Sequence, residues 1–117
     1  IMAVQWYKVY DYSFHGEDPQ ELNSVRTIDV GGELVCLART EKGYFAVADK
    51  CPHANGRLGL GSCDAKGNIV CPVHKYRYNA ESGAGLQGDF VKTYPVKQDS
   101  KGISIGIDDE KPWWKFW

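Results

Sequence analysis

The sequence predicts an all-β fold, an antiparallel sandwich or barrel, on three observations. Short runs rich in β-branched and aromatic residues recur along the 117 residues, each bounded by glycine, asparagine, aspartate or proline. Nowhere does apolar spacing keep a helical period over three turns. No repeat, linker or low-complexity tract divides the chain, so a single domain over residues 1-117 is expected.

Taken in order, Val4 to Tyr10 reads as a first strand, with Trp6 expected to pack within the fold. Asp11 to Ser24 is polar, holds Pro19 and reads as an irregular excursion. His15 lies there without a cysteine or histidine near it in sequence, and is expected to be a solvated loop residue. Val25 to Val30 and Glu33 to Thr40 flank Gly31-Gly32, a hairpin signal. Within the second run Cys36 shares a face with Leu34 and Ala38, the position of a buried, inert thiol. Glu41-Lys42-Gly43 then turns the chain into Tyr44 to Ala48. Asn68 to Cys71 and Lys75 to Tyr78 read as short strands, and Val91 to Val96 with Ile103 to Ile107 as a closing hairpin around Asp99-Ser100-Lys101-Gly102.

Composition excludes some function classes. An apolar content of 43% and a charged content of 25% are ordinary for a globular domain. A net charge of −1 offers no electrostatic footprint for nucleic acid. No run approaches the roughly 18 apolar residues of a membrane span. Ile1 to Tyr10 includes Gln5 and Lys8 and lacks the apolar centre of a secretory signal, so a cytoplasmic location is expected.

The chemistry concentrates between Cys51 and His74. Cys51-Pro52-His53 is followed by seventeen residues and then Cys71-Pro72-Val73-His74. Thiolate and imidazole are the ligands that soft and borderline metals select. Structural zinc sites usually draw like ligands in pairs two to four residues apart, whereas each pair here is mixed. The one-residue gap of the first pair would point both side chains to opposite faces of an extended strand. Cys51 and His53 therefore sit on a bent loop or serve two metal atoms, and a two-iron cluster satisfies the second option. A zinc-stabilised interaction module remains the alternative, separable by metal analysis.

This pattern, C-x-H and C-x-x-H seventeen residues apart, resembles the Rieske iron–sulfur signature, with Cys51, His53, Cys71 and His74 in the ligand positions of one [2Fe-2S] cluster. Tyr76, Tyr78, Ser82-Gly83 and the glycine-rich span Gly59 to Gly67 continue the likeness, which runs roughly from Ile28 to Ile107. The resemblance implies a Rieske fold, an antiparallel β-sandwich with a cluster-binding subdomain inserted at about 49-78. Leu58, Leu60 and Pro72 are candidates to shield the cluster. A third loop, Gly83 to Phe90, has no proline and is expected to be mobile, with Leu86 or Phe90 as cover. Cys63, in a glycine-bounded turn, is expected to be a simple loop residue, with a ligand or redox role as the lesser option.

Two neutral imidazoles in place of thiolates put the potentials of such centres at about −150 to +300 mV, against about −400 mV for plant-type ferredoxins. High-potential members carry a disulfide between the two loops, but Gly56 and Val73 occupy those positions here. Tyr76 stands where those members have a serine donor to cluster sulfur, which favours the low end of the range. Tyr78 is placed to reach the Cys51 sulfur, and Lys75 adds a positive charge beside the loop. His53 and His74 are the implied electron exit.

The resemblance further implies a ferredoxin, a one-electron carrier and not a catalyst. It would take electrons from a flavin reductase upstream and pass them to a terminal oxygenase or reductase downstream. A Rieske oxygenase needs a second iron held by two histidines and a carboxylate, and only His15 remains for it. No glycine fingerprint for a dinucleotide is present. A small electron-transfer subunit of a nitrite reductase system is the alternative. Lys75, Arg77 and Arg57 hint at an acidic partner surface. The aromatic C-terminal tail, 111-117, is expected to pack across the sandwich, with docking to a partner or to a membrane interface as further options.

Overall fold

The computed structural model describes residues 4–16, 19–51, 56–73, 75–86 and 88–108. His53, His74, the His15 side chain and the tail 111-117 lie outside the described residues. Ten strands form three antiparallel sheets among the described residues. In the first, β1 (Val4–Asp11) pairs with β10 (Gly102–Asp108), which pairs in turn with β9 (Val96–Gln98). The second runs in the order β2 (Ser24–Val30), β3 (Glu33–Thr40), β4 (Gly43–Ala48) and β8 (Thr93–Tyr94). The third, small sheet is β5 (Ser62–Cys63), β6 (Asn68–Val70) and β7 (Arg77–Asn79).

The hairpin predicted at Gly31-Gly32 forms. Both glycines have positive φ, 59° and 92°, the mirror-image turn whose twist matches that of the flanking strands. Asp29 Oδ1 accepts from Gly32 N–H at 2.9 Å and holds the turn.

The apolar run Val35-Cys36-Leu37-Ala38 makes β3 a strand buried on both faces. Val35 and Leu37 enter a sandwich core with Tyr10, Ala46, Ile103 and Ile105. Cys36 and Ala38 point the other way, into a second core with Val47, Leu58, Ile69 and Tyr78. The β3–β4 register sets Leu37 opposite Ala46 and Cys36 opposite Val47, so each face stays consistent across the pair. Sheets one and three thus cover opposite faces of sheet two. Cys36 is the buried thiol expected of it. Leu34 lies on the same face as expected, but toward the start of the strand, where it is half exposed and lines an open groove with Ala48, Lys50 and Arg57.

Other expectations are corrected. Val91 to Val96 is not one strand, because Pro95 has no N–H with which to continue a ladder. Thr93 and Tyr94 pair with β4, whereas residues after Pro95 pair with β10. The Pro95 carbonyl accepts from Gly106 N–H at 2.9 Å where the chain changes sheets. Trp6 is 45% exposed, since Tyr7 and Val9 take the inward positions of β1 and strand alternation turns Trp6 outward. The Lys97 ammonium lies 5.7 Å from its ring centroid. The excursion after β1 opens with one helical turn, Tyr12–His15, capped by Asp11, whose Oδ1 accepts from Ser13 N–H at 2.9 Å. Among the described residues no helix is long and apolar enough to cross a membrane.

Candidate metal centre

Two loops are closed by the same backbone bond. Cys51 N–H donates to the Gly56 carbonyl at 2.8 Å, and Cys71 N–H donates to the Tyr76 carbonyl at 2.8 Å. Each cysteine thus opens a loop closed by the residue five positions on. In the second loop Lys75 takes a left-handed φ of 60° and its N–H returns to the Cys71 carbonyl at 3.0 Å. Both cysteines are fully buried in the second core, beside Leu58, Ile69 and Val91, and neither is in a disulfide. The loops meet at Gly56, where an added Cβ would lie 2.6 Å from Val73 Cγ2 and 3.0 Å from Cys71 Sγ. Only glycine allows that approach.

Asp49 fixes the base of the first loop. Buried directly after β4, it accepts from Thr27 Oγ1 and Gly59 N–H through Oδ1, both at 2.8 Å, and from Arg57 Nε through Oδ2 at 2.9 Å. Its carbonyl accepts from Leu58 N–H at 2.6 Å, anchoring a 3-10 turn over Leu58–Leu60. Sequence reasoning missed this residue, although a lone carboxylate right after an apolar strand was the signal. Asp64 does similar work between β5 and β6, accepting from Lys66 and Asn68 N–H groups at 2.9 Å and pairing with Arg77 at 3.3 Å. Desolvation pushes its pKa up, but those donors and the guanidinium prevail and hold it below the usual carboxylate range. Arg57 and Arg77, read as an offer to an acidic partner, are therefore both paired within the domain.

Tyr78 lies where the sequence places it, its hydroxyl 3.5 Å from Cys51 Sγ. It also donates to Asp89 Oδ2 at 2.8 Å, a partner the sequence did not reveal. Burial first, then the contacts with Cys51 and Asp89, drive its phenol well above the ordinary value.

The expected shield is corrected in part. Leu58 is buried against the cysteines, but Pro72 is exposed and Leu60 is 66% exposed. Leu86 and Phe90 are also exposed, the latter at 70%. Ile69 and Val91 share the buried core of the cysteines. The Gly83 to Phe90 segment, expected to be mobile for want of proline, is tied by its backbone. Gly83 N–H reaches Asn79 O at 2.7 Å, Leu86 N–H reaches Arg77 O at 3.0 Å, and Val91 N–H reaches Gly83 O at 2.9 Å. Cys63 is a strand residue and not a turn residue, nearly buried, with its thiol toward the Asp64 carbonyl at 3.7 Å. Burial, then Asp64, lifts that thiol to about 11, which keeps it protonated and a poor ligand.

Residues 5–97 match the family described as the Rieske [2Fe-2S] domain. The chain belongs to this Rieske family. The 3-phenylpropionate/cinnamic acid dioxygenase ferredoxin subunit of Photorhabdus laumondii is 29% identical over 80 residues, 66% of this chain and 76% of that one. The cholesterol 7-desaturase nvd of Bombyx mori is 31% identical over 106 residues, 81% of this Rieske chain but only 23% of the desaturase. In three dimensions the domain resembles the ferredoxin of carbazole 1,9a-dioxygenase from Nocardioides aromaticivorans, with a TM-score of 0.74, 25% identity and coverage of 86% of this chain and 95% of that one. A carbazole dioxygenase ferredoxin solved in complex with its oxygenase, at 20% identity, and a nitrite reductase small subunit from Mycobacterium tuberculosis, at 19%, share the fold.

Proposed function

We propose that this Rieske domain is a one-electron carrier in the reducing cytoplasm, with a [2Fe-2S] cluster held by Cys51 and Cys71 on one iron and by His53 and His74 on the other. The observation that carries the reading is the pair of buried cysteines, neither in a disulfide, at matching positions of two loops closed by the same backbone bond, with Gly56 of one against Val73 of the other. That donor set fits the family's cluster, because each thiol lies in an apolar core with its loop already closed. When bound, the cluster supplies a centre that gains and loses a single electron at the raised potential of mixed ligation. Asp49, Asp64 and the loop-closing amides hold the two cysteines in place. Leu58, Ile69 and Val91 exclude water from their sulfurs. The cluster-binding subdomain, 49-78, encloses both loops together with β5 and β6.

The carrier is not catalytic alone. It takes electrons from a flavin reductase and delivers them to a terminal oxygenase, in keeping with relatives that are ferredoxin subunits of dioxygenases. A second reading has one observation behind it: the likeness to the much longer desaturase, which would make this domain one part of a larger enzyme chain. The deciding experiment is iron, sulfide and zinc analysis of purified protein, with an EPR spectrum after dithionite reduction. Equal iron and acid-labile sulfide with a mixed-ligand signal is expected. Zinc in their place, or protein still colourless after anaerobic reconstitution, overturns the reading.

A further inference from the structure

One hydroxyl faces two acceptors in this domain. Tyr78 Oη lies 2.8 Å from Asp89 Oδ2 and 3.5 Å from Cys51 Sγ, and a phenol has a single proton to donate. With the Cys51 thiol protonated the two contacts run in series, S–H to phenol oxygen and phenol O–H to carboxylate. Metal ligation removes the thiol proton. Sulfur and carboxylate then compete for the one phenol hydrogen, and the shorter contact to a charged oxygen is the stronger bond. We infer that Asp89 holds the Tyr78 proton away from the Cys51 sulfur, and so keeps the reduction potential below the value this tyrosine would otherwise confer. The inference rests on the ligand assignment proposed above and makes Asp89 a positioning residue.

The sign follows from charge. A proton donated to cluster sulfur stabilises the more negative, reduced state and raises the potential. Diverting the proton removes that contribution while leaving the ring of Tyr78 in place in the core. Asp89 is well placed to persist as the acceptor. Its own carbonyl accepts from Gly85 N–H at 2.7 Å, and Ala84 bridges to Phe90 beside it, so its backbone is held.

The test is a double-substitution cycle read by voltammetry at one pH on the reconstituted full chain. Asp89→Leu removes the acceptor and a negative charge, and both effects raise the potential. Tyr78→Phe removes only the hydroxyl. The expected result is that Tyr78→Phe alone leaves the potential near its starting value. The rise caused by Asp89→Leu should then be clearly larger with the tyrosine present than in the Tyr78→Phe background. Equal rises in both backgrounds, or a Tyr78→Phe drop as large alone as it is beside Asp89→Leu, overturn the inference. Asp89→Ala replaces Asp89→Leu if the latter does not take up iron. A second readout needs no change at Tyr78: ENDOR after deuterium exchange should show one more strongly coupled exchangeable proton in the Asp89 variant, and an unchanged set overturns the inference. Protein that binds zinc or no metal overturns the ligand assignment and this inference with it. A mixed-ligand spectrum with non-interacting substitutions overturns this inference alone.

Discussion

Three donors converge on the Asp49 carboxylate, from Thr27, Arg57 and Gly59, two positions before Cys51. Asp49→Ala leaves the partly buried Gly59 amide and Thr27 hydroxyl without their acceptor, and is expected to cost about 1–3 kcal/mol. Urea unfolding measures it, and iron retention should fall with it. Arg57→Ala should cost under about 1 kcal/mol, because that side chain is half exposed and screened. Among the cysteines, Cys51→Ala or Cys71→Ala should abolish iron binding, whereas Cys63→Ala should leave the iron and sulfide content unchanged. Tyr94 supplies a pH dependence. Burial, then its bond to Glu33 at 2.9 Å, raises its phenol from 10.0 to about 12. The folded state therefore keeps a proton that the unfolded chain has lost. Its contribution is whole below pH 10.0 and disappears as pH rises through about 12. The unfolding midpoint should fall across that window, and Tyr94→Phe should flatten the fall.

At the scale of elements, the turn at Gly31-Gly32 offers a graded test. Gly32→Ala meets only open space and a positive φ, so it should cost about 1 kcal/mol. Gly31→Ala adds a clash, since its Cβ would fall 2.7 Å from the Tyr7 ring, and should cost more in the same urea measurement. This hairpin was legible in sequence because its chemistry is local: two glycines between alternating runs. The division at Pro95 was not, although the proline was in plain view. A missing N–H says that one ladder stops there, but only the packed sandwich says that a different sheet takes up the chain. The candidate ligand positions could be read for the opposite reason, since metal chemistry restricts residue types far more tightly than packing does. What stayed hidden was their support, Asp49 and Asp89, because acidic residues are common and only the fold shows which of them is aimed inward.

Over the whole molecule, two apolar cores share one central sheet. Leu37 belongs to the sandwich core and is fully buried. Leu37→Ala should cost about 3 kcal/mol in urea unfolding and leave the EPR spectrum of the folded protein unaltered. Ile69 lies with the cysteines in the other core, so Ile69→Ala should speed loss of iron to a chelator as well as lower stability. The division into cores was only half visible in advance. The continuous apolar run in β3 announced a strand covered on both faces, yet which partners cover it depends on pairings distant in sequence. One consequence concerns where such a domain tolerates change. The outer strands pair Val4 with Asp108, so both ends of the ladder leave side by side from the layer opposite the cysteines. The central sheet thus separates that pairing from Cys51 and Cys71, so changes made where β1 begins and β10 ends should leave both cysteines and the residues that brace them in place.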